Sequence, residues 1–331
     1  PEEIALSVEP SLGAVSKSAD YELASAAWEA AAVFGIQQSA EDLMTIFNQD
    51  TPLSAAALKQ LSGMRVDGLI HYAHRGMDSK HSSVHQEALR IIADLKPAEL
   101  ASFTERLIER GALRSARVGI ELIASSREPS AISGVRKAMT LLSDGILDPE
   151  LGLDVLTAAR ASQDDLTKTL LSHYESSKDV DDPLSPYAET LHGGDPVKGR
   201  QVFETSVTAQ CTLCHRIGRR GSNVGPALTH IGQKEPRFIL ESLVDPGAVV
   251  APGFGLTSAT LKSGETVSGI LLKSTPSQEH IKTPDGRILK INREEIESRT
   301  PTMSSMPPMG ALMSAYELRD LIAFLKTLDG D

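Results

Sequence analysis

Apolar residues recur at three- and four-residue spacing through most of residues 20–180, the pattern of helices that each bury one face. In residues 84–95, VHQEALRIIADL, this spacing places Val84, Ala88, Ile91, Ile92 and Leu95 on a single stripe, and residues 99–108 and 117–124 follow the same rule. Pro52, Pro97, Pro129 and Pro149 mark breaks between such segments. The period changes over residues 255–299. LTSATLKSGETVSGILL contains strand-like runs on either side of Ser263-Gly264, and HIKTPDGRILKI contains two more around Asp285-Gly286. Asp-Gly between β-type residues is a hairpin signal, so an antiparallel element of about four strands is expected here. Residues 314–328 return to helix. Ser314 and Glu317 form a capping box, and Leu318, Leu321, Ile322, Leu325 and Leu328 form the apolar stripe.

Between these regions, residues 176–197 (SSKDVDDPLSPYAETLHGGDPV) combine three prolines, two adjacent glycines and several acids, the composition of a linker. The expected organisation is a helical domain over residues 1–185 and a second domain over residues 186–331, the latter carrying the β insertion at about 255–299. Segments beginning at Val84, Ala116 and Val135 share a loose V/A-R-x-A/G-x-x-L-I pattern. That pattern resembles degenerate HEAT repeats and implies an α-solenoid. The repeat period of about 40 residues is not cleanly kept, so a plain helical bundle stays open. Either way the fold class expected is mainly α.

The length of 331 residues agrees with two domains, and 40% hydrophobic with 23% charged residues excludes a disordered chain. No stretch approaches the roughly 18 apolar residues of a membrane span. The opening residues PEEIALSVEP carry acid where a signal peptide needs a basic and then an apolar segment, so the sequence is expected to be soluble, any export signal having been removed or lying elsewhere. Aromatics make up 4%, with Trp28 the one tryptophan, too few for an aromatic platform that stacks sugars or bases. The net charge of −11 is unevenly spread, with −12 over residues 1–190 and +1 over residues 191–331. The acidic half would repel phosphate and argues against a nucleic-acid ligand. No G-x-S-x-G, H-E-x-x-H or P-loop supports hydrolase or NTPase chemistry.

The chain's two cysteines stand together in Cys211-Thr212-Leu213-Cys214-His215. C-x-x-C-H is the attachment signal of a c-type haem: two thiols three positions apart add to the two porphyrin vinyl groups, and the next residue ligates iron. The motif is short, and other readings accompany it. A zinc site needs about four N or S ligands, and no second C-x-x-C is present. A thioredoxin-like pair wants a βαβ setting, a disulfide across two residues would constrain little, and a chance occurrence is the remaining alternative.

The flanks favour haem. Gly193-Gly194-Asp195-Pro196-x-x-Gly199-x-x-Val202-Phe203 precedes the motif, Gly225-Pro226-Ala227-Leu228 follows it, and Met306-Pro307-Pro308-Met309-Gly310 precedes the last helix. In this order the chain resembles mononuclear c-type cytochromes over residues 193–250 and 301–328. More narrowly, G-G-D-x-x-x-G-x-x-V-F, C-x-x-C-H-R-I-G, V-G-P-x-L and L-x-D-P at 193–203, 211–218, 224–228 and 243–246 are similar to the C-terminal haem-binding domain of large planctomycete and verrucomicrobial multidomain proteins. That family often joins this domain to helical repeats and, upstream, to a β-propeller resembling sugar dehydrogenases; no propeller is visible in this sequence.

The resemblance implies one covalent haem c, with thioethers from Cys211 and Cys214, His215 as proximal ligand and the Pro226 carbonyl as acceptor for its second ring nitrogen. The M-P pattern picks Met306 as sixth ligand, with Met309 second, another residue or an open site as the remaining alternatives, and His280 the next place to look. Met306 follows His215 by 91 residues, more than a minimal cytochrome c needs, and the β segment fills the excess. Gly199 and Phe203 are expected to pack on Leu321 and Phe324. Arg216, Arg219 and Arg220 form a basic knot that either pairs with haem propionates or an acidic partner, or is simply solvated. His230 is expected in the proximal loop rather than at the distal position. His71, His74, His81 and His85 include an i, i+4 pair of metal-like spacing, yet no carboxylate or cysteine completes a site, so they read as surface or packing residues. The implied function is one-electron transfer, not catalysis, with a redox protein or an upstream dehydrogenase domain as partner, and a periplasmic or exported location. A five-coordinate haem sensor or peroxidase-like enzyme, and a helical scaffold with a secondary haem, are the competing readings.

Overall fold

Prolines and capping side chains set the helix boundaries in the computed structural model, which describes residues 26–28, 30, 31 and 38–330. The acidic opening segment PEEIALSVEP lies outside the described residues. The chain divides into two units, Pro1–Ser176 and Ser177–Asp331. The division falls earlier than the expected 185/186 because the proline-rich segment is tied into the second unit. Lys178 pairs with Glu189 at 2.7 Å, both oxygens of Asp182 accept from Arg237 at 2.9 Å, and Leu184 is buried in the second unit's core.

The first unit contains α1 (Ala40–Asn48), α2 (Leu53–Met64), α3 (Leu69–Gly76), α4 (Ser82–Leu95), α5 (Leu100–Glu109), α6 (Leu113–Ser125), α7 (Pro129–Ser143), α8 (Gly152–Ala161) and α9 (Asp165–Ser176). The four expected proline breaks all stand at element starts: Pro52 caps α2, Pro97 and Pro149 open short 3-10 turns, and Pro129 opens α7. Proline's fixed φ and missing N–H are harmless there. Neighbouring helices pack in pairs, α1 on α2, α3 on α4, α5 on α6 and α7 on α8. Beyond the pairs, α2, α4, α6 and α8 follow one another as neighbours in one row, and α5, α7 and α9 in another. Leu58, Leu89, Ile120 and Leu156 are fully buried, one from each helix of the first row, and belong to one continuous core. Val84, Ala88, Ile91 and Ile92 are buried as the spacing requires; Leu95, the last residue of α4, is 45% exposed because the stripe ends with the helix.

The second unit opens with a 3-10 segment (Ser185–Leu191), then α10 (Pro196–Thr205), α11 (Cys211–Cys214), a two-stranded hairpin of β1 (Arg216–Ile217) and β2 (Arg220–Gly221), and α12 (Pro236–Val244). A six-stranded antiparallel sheet follows, made of β3 (Gly255–Leu261), β4 (Thr266–Ser274), β5 (Gln278–Lys282), β6 (Ile288–Asn292), β7 (Ile296–Arg299) and β8 (Met303–Ser304). The chain then enters α13 (Ala315–Lys326), whose capping box of Ser314 and Glu317 is formed. Strand order is β6-β5-β4-β3-β7, with β8 also paired to β3. Gly264 and Gly286 supply the positive φ at both expected turns. The pattern predicted about four strands; β7 and β8 are additional, since their residues IESR and MS show no apolar alternation and become strands only by pairing along β3. The protein is therefore mainly helical with a C-terminal six-stranded antiparallel sheet.

The closest helix crossing in this unit joins α10 to α13. A Cβ at Gly199 would collide with the Asp320 carbonyl and lie 2.7 Å from Phe324 Cβ, and the Phe203 and Phe324 rings pack 5.7 Å apart beside it. The Asp195 side chain caps α10, while its own N–H donates to Asp320 Oδ1 at 2.9 Å. Gly199→Val should separate the helices and cost about 3 kcal/mol, and Ser314→Ala about 1 kcal/mol. Hydrogen exchange of α13 amides checks both, with α4 amides as the unaffected control; unchanged α13 protection in Gly199→Val would contradict the packing.

In the β5–β6 turn, the Thr283 hydroxyl first, then Arg287, holds Asp285 at about 2, below its ordinary 3.8. Because the folded value is lowered, the stabilisation is present above the ordinary value and is lost as pH falls toward about 2. Asp285→Asn should remove that part of the sheet's acid-side destabilisation, read by acid titration of β5 and β6 amide protection.

Candidate functional site

Ser206 ends α10 and begins the approach to the cysteines. Its hydroxyl accepts the Ala209 N–H at 3.1 Å and its carbonyl the Gln210 N–H at 3.1 Å. Gln210 then takes a left-handed φ of 48°, turning the chain into the single helical turn of α11. The His215 N–H closes that turn on the Cys211 carbonyl at 2.8 Å. Cys211 and Cys214 are both free thiols, the first half-buried against the second unit's core and the second exposed. Burial pushes the Cys211 thiol above its ordinary range.

The Gly225-Pro226 loop is strapped to the back of this turn. The Gly225 N–H donates to the Cys214 carbonyl at 2.7 Å, and His215 Nδ1 lies 2.8 Å from the Pro226 carbonyl oxygen. A carbonyl can only accept, so Nδ1 carries a proton, and in the neutral ring the lone pair is left on Nε2. The imidazole lies against Gly225, where an added Cβ would come within 2.8 Å of ring carbon Cε1. The hydrogen bond and this close contact fix the ring's orientation.

Cys211, Cys214, His215, Pro226 and Met306 all line one cavity of about 350 Å³. Its other walls are largely apolar, with Phe203 from α10, Leu243 from α12, and Leu321 and Leu325 from α13. The four methionines between residues 303 and 313 separate by position. Met306 is half-buried and lines the cavity; Met309 also lines it but is 5% exposed and part of the core; Met313 is a core residue; Met303 is 64% exposed on β8. Neither Met303 nor Met313 lines the cavity.

Other candidate residues go elsewhere. His280 sits on β5 opposite Lys273 and Lys290, outside the cavity lining. His230 lies outside it too, its Nδ1 3.4 Å from the Asp329 carbonyl. Arg216, Arg219 and Arg220 are exposed on and around the β1–β2 hairpin and do not line the cavity. Lys234 does, a residue that the sequence reading passed over because it is a lone lysine after a turn. In the first unit, His74 pairs with Glu99, His81 with the Asp50 carbonyl, and His85 with Ser79 and Ser115, while His71 packs edge-on to Tyr72. The ring nitrogens of His74, His81 and His85 serve separate local partners, and among the described residues no group of three or more His, Cys, Asp or Glu is arranged to hold a metal ion. No described helix is long and apolar enough to cross a membrane.

Comparison of the chain with protein-family models and with curated protein sequences gives no significant match.

The two thiols should differ in reactivity. With both thiols free at pH 8, iodoacetamide should alkylate exposed Cys214 several-fold faster than Cys211, whose thiolate is disfavoured by burial. Peptide mass spectrometry over a time course reads the order, and equal rates would contradict the placement of Cys211.

Proposed function

We propose that the protein is a one-electron carrier with a single covalent haem c, held by thioethers from Cys211 and Cys214 and ligated by His215 and Met306. The observation that carries this reading is the shared cavity: both cysteines, a histidine with Nδ1 already engaged, and a methionine 91 residues later line one apolar space. The donor set suits the group. Two thiols on one turn match two vinyl groups, and neutral imidazole with thioether gives the saturated pair that favours electron transfer over substrate turnover. When bound, the haem supplies a one-electron iron couple.

The chain's residues divide the work. His215 would ligate through Nε2, and the Pro226 carbonyl holds the tautomer and increases the ring's basicity. Phe203, Leu243, Leu321 and Leu325 exclude water, which disfavours the more highly charged oxidised state and so raises the potential. Lys234 is an exposed cation on the cavity lining and suits a propionate better than the outlying arginines do. Leu213 and Val224 are exposed at the motif, 63% and 64%, and offer an apolar contact to a partner. The two rows of paired helices in the first unit support a HEAT-like solenoid over a plain bundle. The partner proposed is a redox protein or a dehydrogenase domain, and the location is periplasmic or exported, where thioether attachment occurs.

The test is expression with the haem-attachment machinery, followed by spectroscopy of the reduced protein with and without carbon monoxide. Slow carbon monoxide binding at neutral pH is expected; rapid binding would replace the carrier with a five-coordinate sensor or peroxidase. Cys211→Ala should shift the pyridine haemochrome band to that of a single thioether or lose the covalent haem, and an unchanged band refutes the attachment. Met306→His should lower the potential by a sizeable part of the roughly 0.8 V over which axial ligands act. Met306→Ala should open the iron, whereas Met303→Ala should change neither spectrum nor potential. If Met309→Ala opens the iron and Met306→Ala does not, the ligand is Met309.

A further inference from the structure

The β sheet leaves the cavity and returns to it through strands that are bonded to each other. Val250, Ala251 and Phe254 line the cavity just before β3 begins at Gly255. Ser304, Ser305 and Met306 line it where β8 ends. Gly255 pairs with Ser304 and Leu256 with Met303, so the outgoing and incoming chains share a rung at the cavity's edge. The contact continues outward: the Thr300 N–H donates to the Ser258 carbonyl at 2.9 Å, and the Thr257 hydroxyl donates to the Thr300 carbonyl at 3.1 Å.

Two residues tighten this junction. A Cβ at Gly255 would collide with the Thr302 methyl group and lie 2.7 Å from Val250 Cγ1, so glycine alone leaves room for the two chains and the cavity wall together. The Ser304 hydroxyl accepts the Met306 N–H at 3.1 Å. The backbone of Met306 is thereby tied to β8, β8 to β3, and β3 to the segment lining the cavity. An insertion that merely decorates the unit needs its ends near each other, but it does not need them locked in register. Here a slip of one residue would turn each side chain of β8 to the opposite face.

We propose that the β3–β8 rung positions the sixth ligand, with Gly255 and Ser304 as positioning residues that set where the Met306 sulfur stands in the cavity. The proposal rests on the reading of Met306 as an iron ligand and adds a role for the inserted sheet. A tether that restricts the loop before the sulfur binds lowers the entropy lost on ligation. Loosening it raises the fraction of open iron, and exogenous ligand binding rises in proportion.

The experiment uses the full-length holoprotein, with covalent haem content verified in every variant by pyridine haemochrome. Gly255→Val wedges the rung apart, Ser304→Ala removes the acceptor for the Met306 N–H, Ser304→Thr retains a hydroxyl, and Val267→Ala weakens the sheet core away from the rung. Three readouts are the sulfur-to-iron charge-transfer band of the oxidised protein, the rate of carbon monoxide binding to the reduced protein, and hydrogen exchange at the Met306 amide. Gly255→Val and Ser304→Ala should diminish the band, speed carbon monoxide binding about tenfold and speed Met306 exchange. Ser304→Thr should restore all three, and Val267→Ala should change none. If Gly255→Val does not fold, Ser304→Ala against Ser304→Thr decides the matter alone. A normal band and carbon monoxide rate in Ser304→Ala, with covalent haem present, overturns the positioning role; so does an equal loss in Val267→Ala. Absence of covalent haem, or of the band, from the unsubstituted protein overturns the underlying ligand assignment instead.

Discussion

The second unit depends on how closely α10 and α13 cross at Gly199. One helix precedes the cysteines and the other follows the methionines, so their contact makes neighbours of residues far apart in sequence. With a side chain at Gly199, the Asp320 carbonyl and Phe324 would have to withdraw. The cavity between Phe203 and Leu321 would lose its shape with them. The Asp195–Asp320 bond spans 125 residues and fixes the same crossing from the end of α10. Backbone proximity at one glycine is thus the condition for an apolar cavity that a cysteine turn and a methionine loop both reach.

Within that frame, the local geometry at His215 is unusually well determined. The Pro226 carbonyl specifies the proton on Nδ1, Gly225 limits the ring plane, and the Gly225–Cys214 backbone bond holds the loop to the turn. Each of these acts on a different degree of freedom. A histidine that only filled space would not need all three, and the free Nε2 is what they leave available.

Much of this was legible in the sequence, for identifiable reasons. Helices whose apolar stripes are bounded by prolines announce themselves because burial and chain breaking act locally; Val84 to Ile92 and the capping box at Ser314 belong to this class. The hairpin turns at Gly264 and Gly286 were legible because left-handed backbone leaves glycine as the natural choice. The motif at Cys211–His215 was readable from its spacing, and the Gly225-Pro226 loop from the resemblance its residues carry. What could not be read depends on partners remote in sequence. Strands β7 and β8 exist by pairing with β3, Leu95 loses its cover because α4 stops there, and the domain edge moves because Asp182 finds Arg237. The M-P pattern ranked Met306 ahead of Met309 along the chain, but that Met309 is buried in the core while Met306 is half-buried at the cavity could not be read there. Lys234 carries no signal until the cavity is formed around it.

The long span between the two ends of the cavity also bears on the order of events during synthesis. The cysteine turn emerges about a hundred residues before α13, and until that helix arrives α10 has no partner at Gly199 and the cavity has no wall from Leu321 or Leu325. Long-range contacts of this kind form late. During that interval Cys211 lacks the cover that half-buries it in the finished unit, whereas Cys214 is exposed before and after. Arrival of the last helix then closes the apolar wall. The order of elements along the chain therefore leaves Cys211 more accessible before final packing than after it.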